Sequence, residues 1–503
     1  MNRKGTAMNY RSTRNNNVVV TSAEAIAQGL SSEGGLFVPE SLPVLSKEDI
    51  LALCDKSYPE RAFDIFKLFL TDFTDEEIKH CVNGAYGSNF DTENVSELSH
   101  LLTGTYILEL WHGPTCAFKD MALQILPYLL TCSAKKTIDG KKIAILVATS
   151  GDTGKAALEG FKDVEGTCIT VFYPEDGVSD MQKRQMTTQE GGNVHVCAVK
   201  GNFDDCQNGV KAIFTDEKLK AELEKMNVVF SSANSINWGR LSPQIVYYIS
   251  AYASLIKNGE IEYGEKVNIV VPTGNFGNIL AAYYAKQMGI PVNKLICASN
   301  SNNVLTDFIN TGVYDRNRKF YTTVSPSMDI LISSNLERLL YHLTGEDDKQ
   351  ITEWFTKLSK EGRYEVTPEV LEKIKSDFYA GCCSDEETKA AIKEVFEEYS
   401  YLMDTHTAVA YKVYKDYKTA TGDETKTIVA STANPYKFGK AVYSALGGET
   451  EGLDEFEIIE KLEQQTGTKM PAPLAATKNK TVRFTGSVEK QEMPAVVLDF
   501  LKK

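Results

Sequence analysis

From about residue 140 the apolar residues fall into short β-branched runs that alternate with segments of helical spacing. Runs at 142–148, 167–173 and 194–199 read as buried strands, and further strands are expected at 267–271, 295–298 and 427–430. Between them the 3.6-residue period predicts helices over 155–161, 180–189, about 210–226 and 279–288. Strands and helices in alternation predict an α/β fold with parallel sheets covered on both faces. In such folds ligands sit in the loops at the carboxyl ends of the strands. The first hundred residues mix short helical patterns with loops and end in a polar stretch at 91–97. No internal repeat or low-complexity tract interrupts the chain.

The length, 503 residues, predicts two large domains or about three of ordinary size. A net charge of −14 argues against nucleic acid or an anionic membrane as partner, since both require a basic surface. An anionic substrate must then meet a local positive patch inside a cleft. No run approaches the roughly 20 apolar residues of a membrane helix, and the opening residues carry no apolar stretch of signal-peptide length. The ten cysteines contain no CxxC pair, and the six histidines show no ligand spacing, so no metal site is expected. Scattered thiols without an export signal predict a cytoplasmic protein.

Three loops could carry chemistry. Val270-Val271-Pro272-Thr273-Gly274-Asn275-Phe276-Gly277-Asn278 joins a strand to a helix, where glycines and free amides suit a phosphate; a plain tight turn would look the same. Ala148-Thr149-Ser150-Gly151-Asp152-Thr153-Gly154 occupies the same kind of position. Its hydroxyls and amides suit a carboxylate or phosphate, or simply cap the next helix. In Trp111-His112-Gly113-Pro114-Thr115-Cys116-Ala117-Phe118-Lys119-Asp120-Met121 the lysine falls in the first turn of a mostly apolar helical stretch, 118–130. Desolvation there would favour a nucleophilic amine, whereas a lysine that reaches solvent or pairs with Asp120 would be ordinary.

Together the loops resemble threonine synthase of the longer bacterial and fungal type, within the fold-type II pyridoxal-phosphate (PLP) enzymes such as tryptophan synthase β and the serine and threonine dehydratases. The motif Tyr10-Arg11-Ser12-Thr13-Arg14 and the stretch 28–40 resemble the family's amino-terminal signature, with Glu33 where aspartate is common. HGPTCAFKD, ATSGDTG, SINWGR, PTGNFGN, DTHTAVA and STANPYKF follow in the family's order between about residues 10 and 445. Two departures are Cys116 for a common leucine and Asn434 for a common histidine.

The resemblance implies that Lys119 forms the Schiff base with PLP and acts as the catalytic base. It assigns Gly274, Asn275, Phe276, Gly277 and Asn278 to the cofactor phosphate, Asp152 to the 3-hydroxyl side and Thr432 to the pyridine nitrogen. Thr149, Ser150 and Thr153 match the loop around the substrate carboxylate and phosphate. Asn234, Ser235 and Arg240 match residues holding the phosphate of O-phospho-L-homoserine, although a structural ion pair is the plain alternative for Arg240. The implied reaction is a carbon–oxygen lyase chemistry, the β,γ-replacement that gives L-threonine and phosphate as the last step of threonine biosynthesis. A phospho-lyase giving 2-oxobutyrate and a catalytically silent PLP-binding protein are the rivals. The implied architecture has an amino-terminal domain (1–100), a large PLP-binding domain (101–139 and 256–503) and a smaller α/β domain (140–255) that closes on substrate. A monomer or homodimer is expected, and no function is read from the last sixty residues.

Overall fold

A computed structural model describes residues 7–138, 140–149, 151–176 and 178–502. Two sheets organise the chain. The larger has six strands, in the spatial order Phe378–Cys382, Val292–Ser299, Val267–Pro272, Thr427–Ser431, Thr105–Glu109, Glu97–Leu102. All neighbours are parallel except the last pair. The smaller is wholly parallel, in the order Ser487–Val488, Val194–Val199, Thr167–Pro174, Lys142–Ala148, Val228–Ser231. Val267–Pro272 and Thr167–Pro174 are buried along their whole length, as strands covered by helices on both faces must be. An amino-terminal three-stranded sheet (Tyr10–Ser12, Asn15–Val20, Phe37–Pro39), the helix Ser22–Gln28 and three helices between 47 and 85 precede the two sheets in the chain.

The helix Trp238–Lys257 is the central strut, almost entirely buried despite an internal Pro243. It packs against Gly277–Gln287 and against the amino-terminal helices Lys47–Cys54 and Tyr58–Phe69. Residues 238–255, expected within the smaller domain, therefore lie with the other two. The chain end differs as well: expected with the large domain, its strand Ser487–Val488 pairs with Ala198 and Val199 of the smaller sheet. Helix Met493–Leu501 then inserts Met493 and Val497 beside Cys206, Val210 and Ile213. Two expected helices are each divided. The first becomes Phe203–Thr215 and Glu217–Lys225, because the Asp216 carboxylate accepts from the amides of Lys218 and Leu219 and restarts the helix. The stretch after Lys119 becomes Asp120–Leu123 and Leu126–Thr137, with Pro127 in the first turn of the second. Strands Glu97–Leu102, Thr105–Glu109 and Phe378–Cys382 were not anticipated.

Gly160 fixes how the two sheets meet. A Cβ there would lie 2.0 Å from the Leu123 carbonyl oxygen, so only glycine lets helix Asp152–Phe161 approach the helix that follows Lys119. That contact brings the carboxyl ends of the two sheets to one cleft.

Candidate active site

Lys119 is the residue before helix Asp120–Leu123. The turn leading to it is closed by the buried Asp120 carboxylate, which accepts from the Thr115 amide (2.8 Å) and hydroxyl (2.7 Å). The turn is also stitched to the loop after strand Thr427–Ser431. The Phe118 amide donates to the Thr432 carbonyl (2.8 Å), the Asn434 amide donates to the Cys116 carbonyl (3.0 Å), and Ala117 bridges Ala433. Lys119 and Thr432, far apart in sequence, thus become neighbours. The Asn434 side chain acts locally, its oxygen capping the turn Pro435–Phe438 by accepting from the Tyr436 amide.

Asp152 opens helix Asp152–Phe161 and sits opposite Lys119. Its Oδ1 accepts from Gln182 Nε2 (2.9 Å) and forms an ion pair with Lys437 Nζ at 3.0 Å; its Oδ2 lies 3.9 Å from Lys119 Nζ and accepts from Ser327 Oγ at 3.4 Å. Burial raises the carboxyl pKa, but the Lys437 and Lys119 ammoniums and the Gln182 amide outweigh it and hold the group well below the usual range. Burial pushes Lys119 down to about 8; Asp152 opposes that shift, while Arg240 and Lys437 add to it.

In the loop after strand Val267–Pro272 the carbonyls are drawn off the cleft. Gly274 O accepts from Ser333 Oγ (2.7 Å), and Asn275 O accepts from the Asn335 amide and side chain (3.0 Å each). What remains to bind an anion is the set of amides of the loop and of the first turn of Gly277–Gln287. Phe276 is held at φ 64°, a left-handed conformation that fixes the turn. A Cβ on Gly274 would lie 2.9 Å from the Ser327 carbonyl, so the turn 326–328 closes directly over the loop. Ser327 is placed by His406, whose Nε2 accepts its amide (3.1 Å) while Nδ1 donates to the fully buried Asp404 (2.8 Å). Asn278 accepts at Oδ1 from the hydroxyls of Tyr247 and Tyr248, and its Nδ2 is buried without a partner among the described residues.

Arg240 stands in the first turn of the central helix, 3% exposed. Its Nη1 donates to the Ala233 carbonyl (2.7 Å), Nε has no partner, and no carboxylate pairs with it among the described residues. Burial lowers it to about 10. Among the described residues the structural ion pair weighed for Arg240 is therefore absent. The unfilled donor at Asn278, in the first turn after the amide-lined loop, and the one at Arg240 each suit an anionic oxygen.

The other expected substrate residues are less uniform. Thr149 commits its hydroxyl oxygen to the amides of Gly151 and Gly154 (2.9 Å each), so it shapes the loop from within. Thr153 is half-buried, and Ser150 lies outside the described residues. Asn234 and Ser235 are half-buried in the turn that leads into Arg240. Sequence reasoning did not find Lys437, Gln182 or Ser327. Only Lys437 left a signal, as a lysine between two aromatic residues in STANPYKF.

A lysine at the seam of two parallel sheets, facing an amide loop that awaits a phosphate, defines a fold-type II PLP enzyme. Residues 92–432 match the family model described as pyridoxal-phosphate dependent enzyme. The flanks are more particular: residues 9–86 match the threonine synthase N terminus and 407–481 the threonine synthase C-terminal model. The chain belongs to the threonine synthase family. It is 38% identical over 468 residues to threonine synthase of Schizosaccharomyces pombe, covering 87% of this chain and 89% of that one. The crystal structure of PLP-bound threonine synthase from Brucella melitensis superposes with a TM-score of 0.88 at 35% identity, covering 99% and 100% of the two chains. Human threonine synthase-like 1 is 43% identical over 435 residues, covering 84% of this chain; the match spans 58% of that longer protein. Among the described residues no helix is long and apolar enough to cross a membrane.

Proposed function

We propose that this protein is a threonine synthase that converts O-phospho-L-homoserine and water to L-threonine and phosphate. The observation that carries the reading is Arg240, a buried guanidinium with an unfilled Nε and no carboxylate partner among the described residues, near enough to Lys119 to disfavour its charge. An enzyme that only dehydrated serine or threonine would have no use for a second anion site.

PLP, bound through Lys119 with its phosphate on Gly274, Asn275, Phe276, Gly277 and Asn278, supplies an electron sink for charge that develops at the substrate α-carbon. Thr432 would offer the pyridine nitrogen a hydroxyl rather than a charge, and Asp152, held ionised, would serve the 3-hydroxyl. The Lys119 amine lies in an environment that favours its neutral form, and as a free amine its Nζ would take the α-proton and then a β-proton of the substrate. Arg240, with Asn234, Ser235 and the loop of Thr149, Ser150 and Thr153, receives the phosphate as it leaves the γ-carbon. The loop of Asp152 belongs to the smaller sheet and Lys119 to the larger, so closure of one on the other would exclude water until phosphate has left. The protein's scattered thiols suit a reducing compartment, the cytoplasm, and a monomer or homodimer is the expected form.

A second reading uses the same residues up to the departure of phosphate: elimination with release of 2-oxobutyrate. A product assay on O-phospho-L-homoserine decides between them. Threonine and phosphate in equal amounts, lost in Lys119→Ala, are expected. Phosphate with 2-oxobutyrate and no threonine would establish the lyase, and no phosphate from PLP-loaded protein would refute both substrate readings.

A further inference from the structure

Lys437 is fully buried and has no part in the steps above. It lies in the turn Pro435–Phe438; its Nζ donates to Thr115 O (2.7 Å) and Gln185 Oε1 (3.0 Å) and forms an ion pair with Asp152 Oδ1 at 3.0 Å. An ammonium has three N–H donors and no acceptor. Two accepted hydrogen bonds and a carboxylate oxygen at 3.0 Å suit the protonated state, whereas a neutral amine would aim its lone pair at an oxygen. Lys119 is the opposite case. Among the described residues its Nζ meets Asp152 Oδ2 at 3.9 Å and the Phe118 ring at 4.8 Å from the centroid, and no closer acceptor. One carboxylate is thus shared unequally by two lysines, one saturated and one free to lose its proton.

We infer that Lys437 is a positioning residue for the reaction: its charged Nζ anchors Asp152 through Oδ1, so that Oδ2 stays ionised and aimed at the Lys119 side through every protonation state of Lys119. This rests on the reading of Lys119 as the cofactor lysine. Each turnover must leave Lys119 neutral at some stage, and without Lys437 the buried Asp152 would then face the cofactor as an unpaired charge, which is costly. Lys437 removes that cost. Its charge also disfavours a proton on Lys119 by like-charge repulsion. The charged groups facing Lys119 are Asp152, Arg240, Lys437 and Asp120. Those around Lys437 are Asp152, Cys116, Asp120 and Lys155, with His406 beyond Asp152.

The test is a pH titration of the visible absorption band of the PLP-loaded protein, for wild type, Lys437→Gln and Lys437→Arg. Glutamine keeps hydrogen bonding and loses the charge, so the proton at Lys119 Nζ should persist to higher pH, with the midpoint raised by about one pH unit, the order expected of a like charge removed from within several ångströms. Arginine keeps the charge and should leave the midpoint within about 0.3 unit of wild type. A midpoint unmoved in Lys437→Gln, even with a lowered melting temperature, would reduce Lys437 to scaffolding and overturn the inference. Equal shifts in both variants would overturn it too. If Lys437→Gln does not fold, Lys437→Arg carries the decision: a midpoint displaced by a unit or more refutes a charge-based role. Wild-type protein without any visible band would instead sink the cofactor reading itself, a result distinct from an unmoved midpoint.

Discussion

Arg240 should cost the unliganded protein stability, and the size of that cost can be worked out. Burial lowers its pKa from 12.5 to about 10, a penalty of roughly 3 kcal/mol at about 1.4 kcal/mol per pH unit. Against this stands one charge-assisted hydrogen bond, to the Ala233 carbonyl, contributing about 1.5–3 kcal/mol. Replacing Arg240 by methionine, which fills similar space, removes both. The expected result is a melting temperature equal to or above that of wild type when phosphate is absent. Phosphate should then separate the two proteins. At 100 times its Kd it stabilises wild type by about 2.7 kcal/mol, and the variant should gain nothing. Thermal melts of PLP-loaded protein with and without inorganic phosphate read both effects. A variant more than about 1 kcal/mol less stable than wild type that still responds to phosphate would refute the reasoning, because it would make Arg240 a structural residue.

Lys119 gives a pH dependence of defined sign. In PLP-free protein its amine loses its proton near pH 8 when folded and near 10.5 when unfolded, so the unfolded state binds more protons between those values and stability rises with pH there. Denaturant unfolding from pH 8 to 10.5 should show a rise of up to about 3 kcal/mol in wild type relative to Lys119→Met; parallel curves would show that the amine titrates normally. Gly160→Ala puts a Cβ against the Leu123 carbonyl and should cost about 1–3 kcal/mol and weaken PLP retention, both measurable by unfolding and absorbance. A variant as stable as wild type would mean the two helices separate freely. Asp404→Ala removes the cap of helix Thr405–Thr421 and the partner of His406 Nδ1. It should lower stability by about 1–2 kcal/mol and loosen the turn 326–328, seen as faster amide exchange at Ser327. Unchanged exchange would detach that turn from His406.

The parts of the site that carry local signatures were legible in the sequence. Lys119 stands at the head of an apolar helix, and Gly274–Asn278 joins a buried strand to a helix; each pattern depends on neighbours in sequence alone. Lys437, Gln182 and Ser327 reach Asp152 from three distant segments, and their roles exist only once the two sheets are packed. Arg240 was legible as a cation, but the absence of a carboxylate partner could be seen only in three dimensions. In the fold, long apolar strands such as 142–148 and 167–174 were evident. Phe378–Cys382 was not, because a short run ending in Gly381 and adjacent cysteines has no period to read. The division at Asp216 turned on a single side chain that competes for backbone amides, against a helical pattern that runs through it.

The placement of Ser487–Val488 sets an order of events during synthesis. The four other strands of that sheet lie between residues 142 and 231, yet its edge is completed near the chain's end. At roughly 5–20 residues per second, the ribosome leaves Ala198 and Val199, at the end of strand Val194–Val199, without their outer partners for tens of seconds. A strand in which five of six residues are apolar, with a bare edge, is a template for pairing with another nascent chain. Production of this protein in a host short of holding chaperones should therefore be limited by loss of chains during translation, before the catalytic centre has had any chance to form.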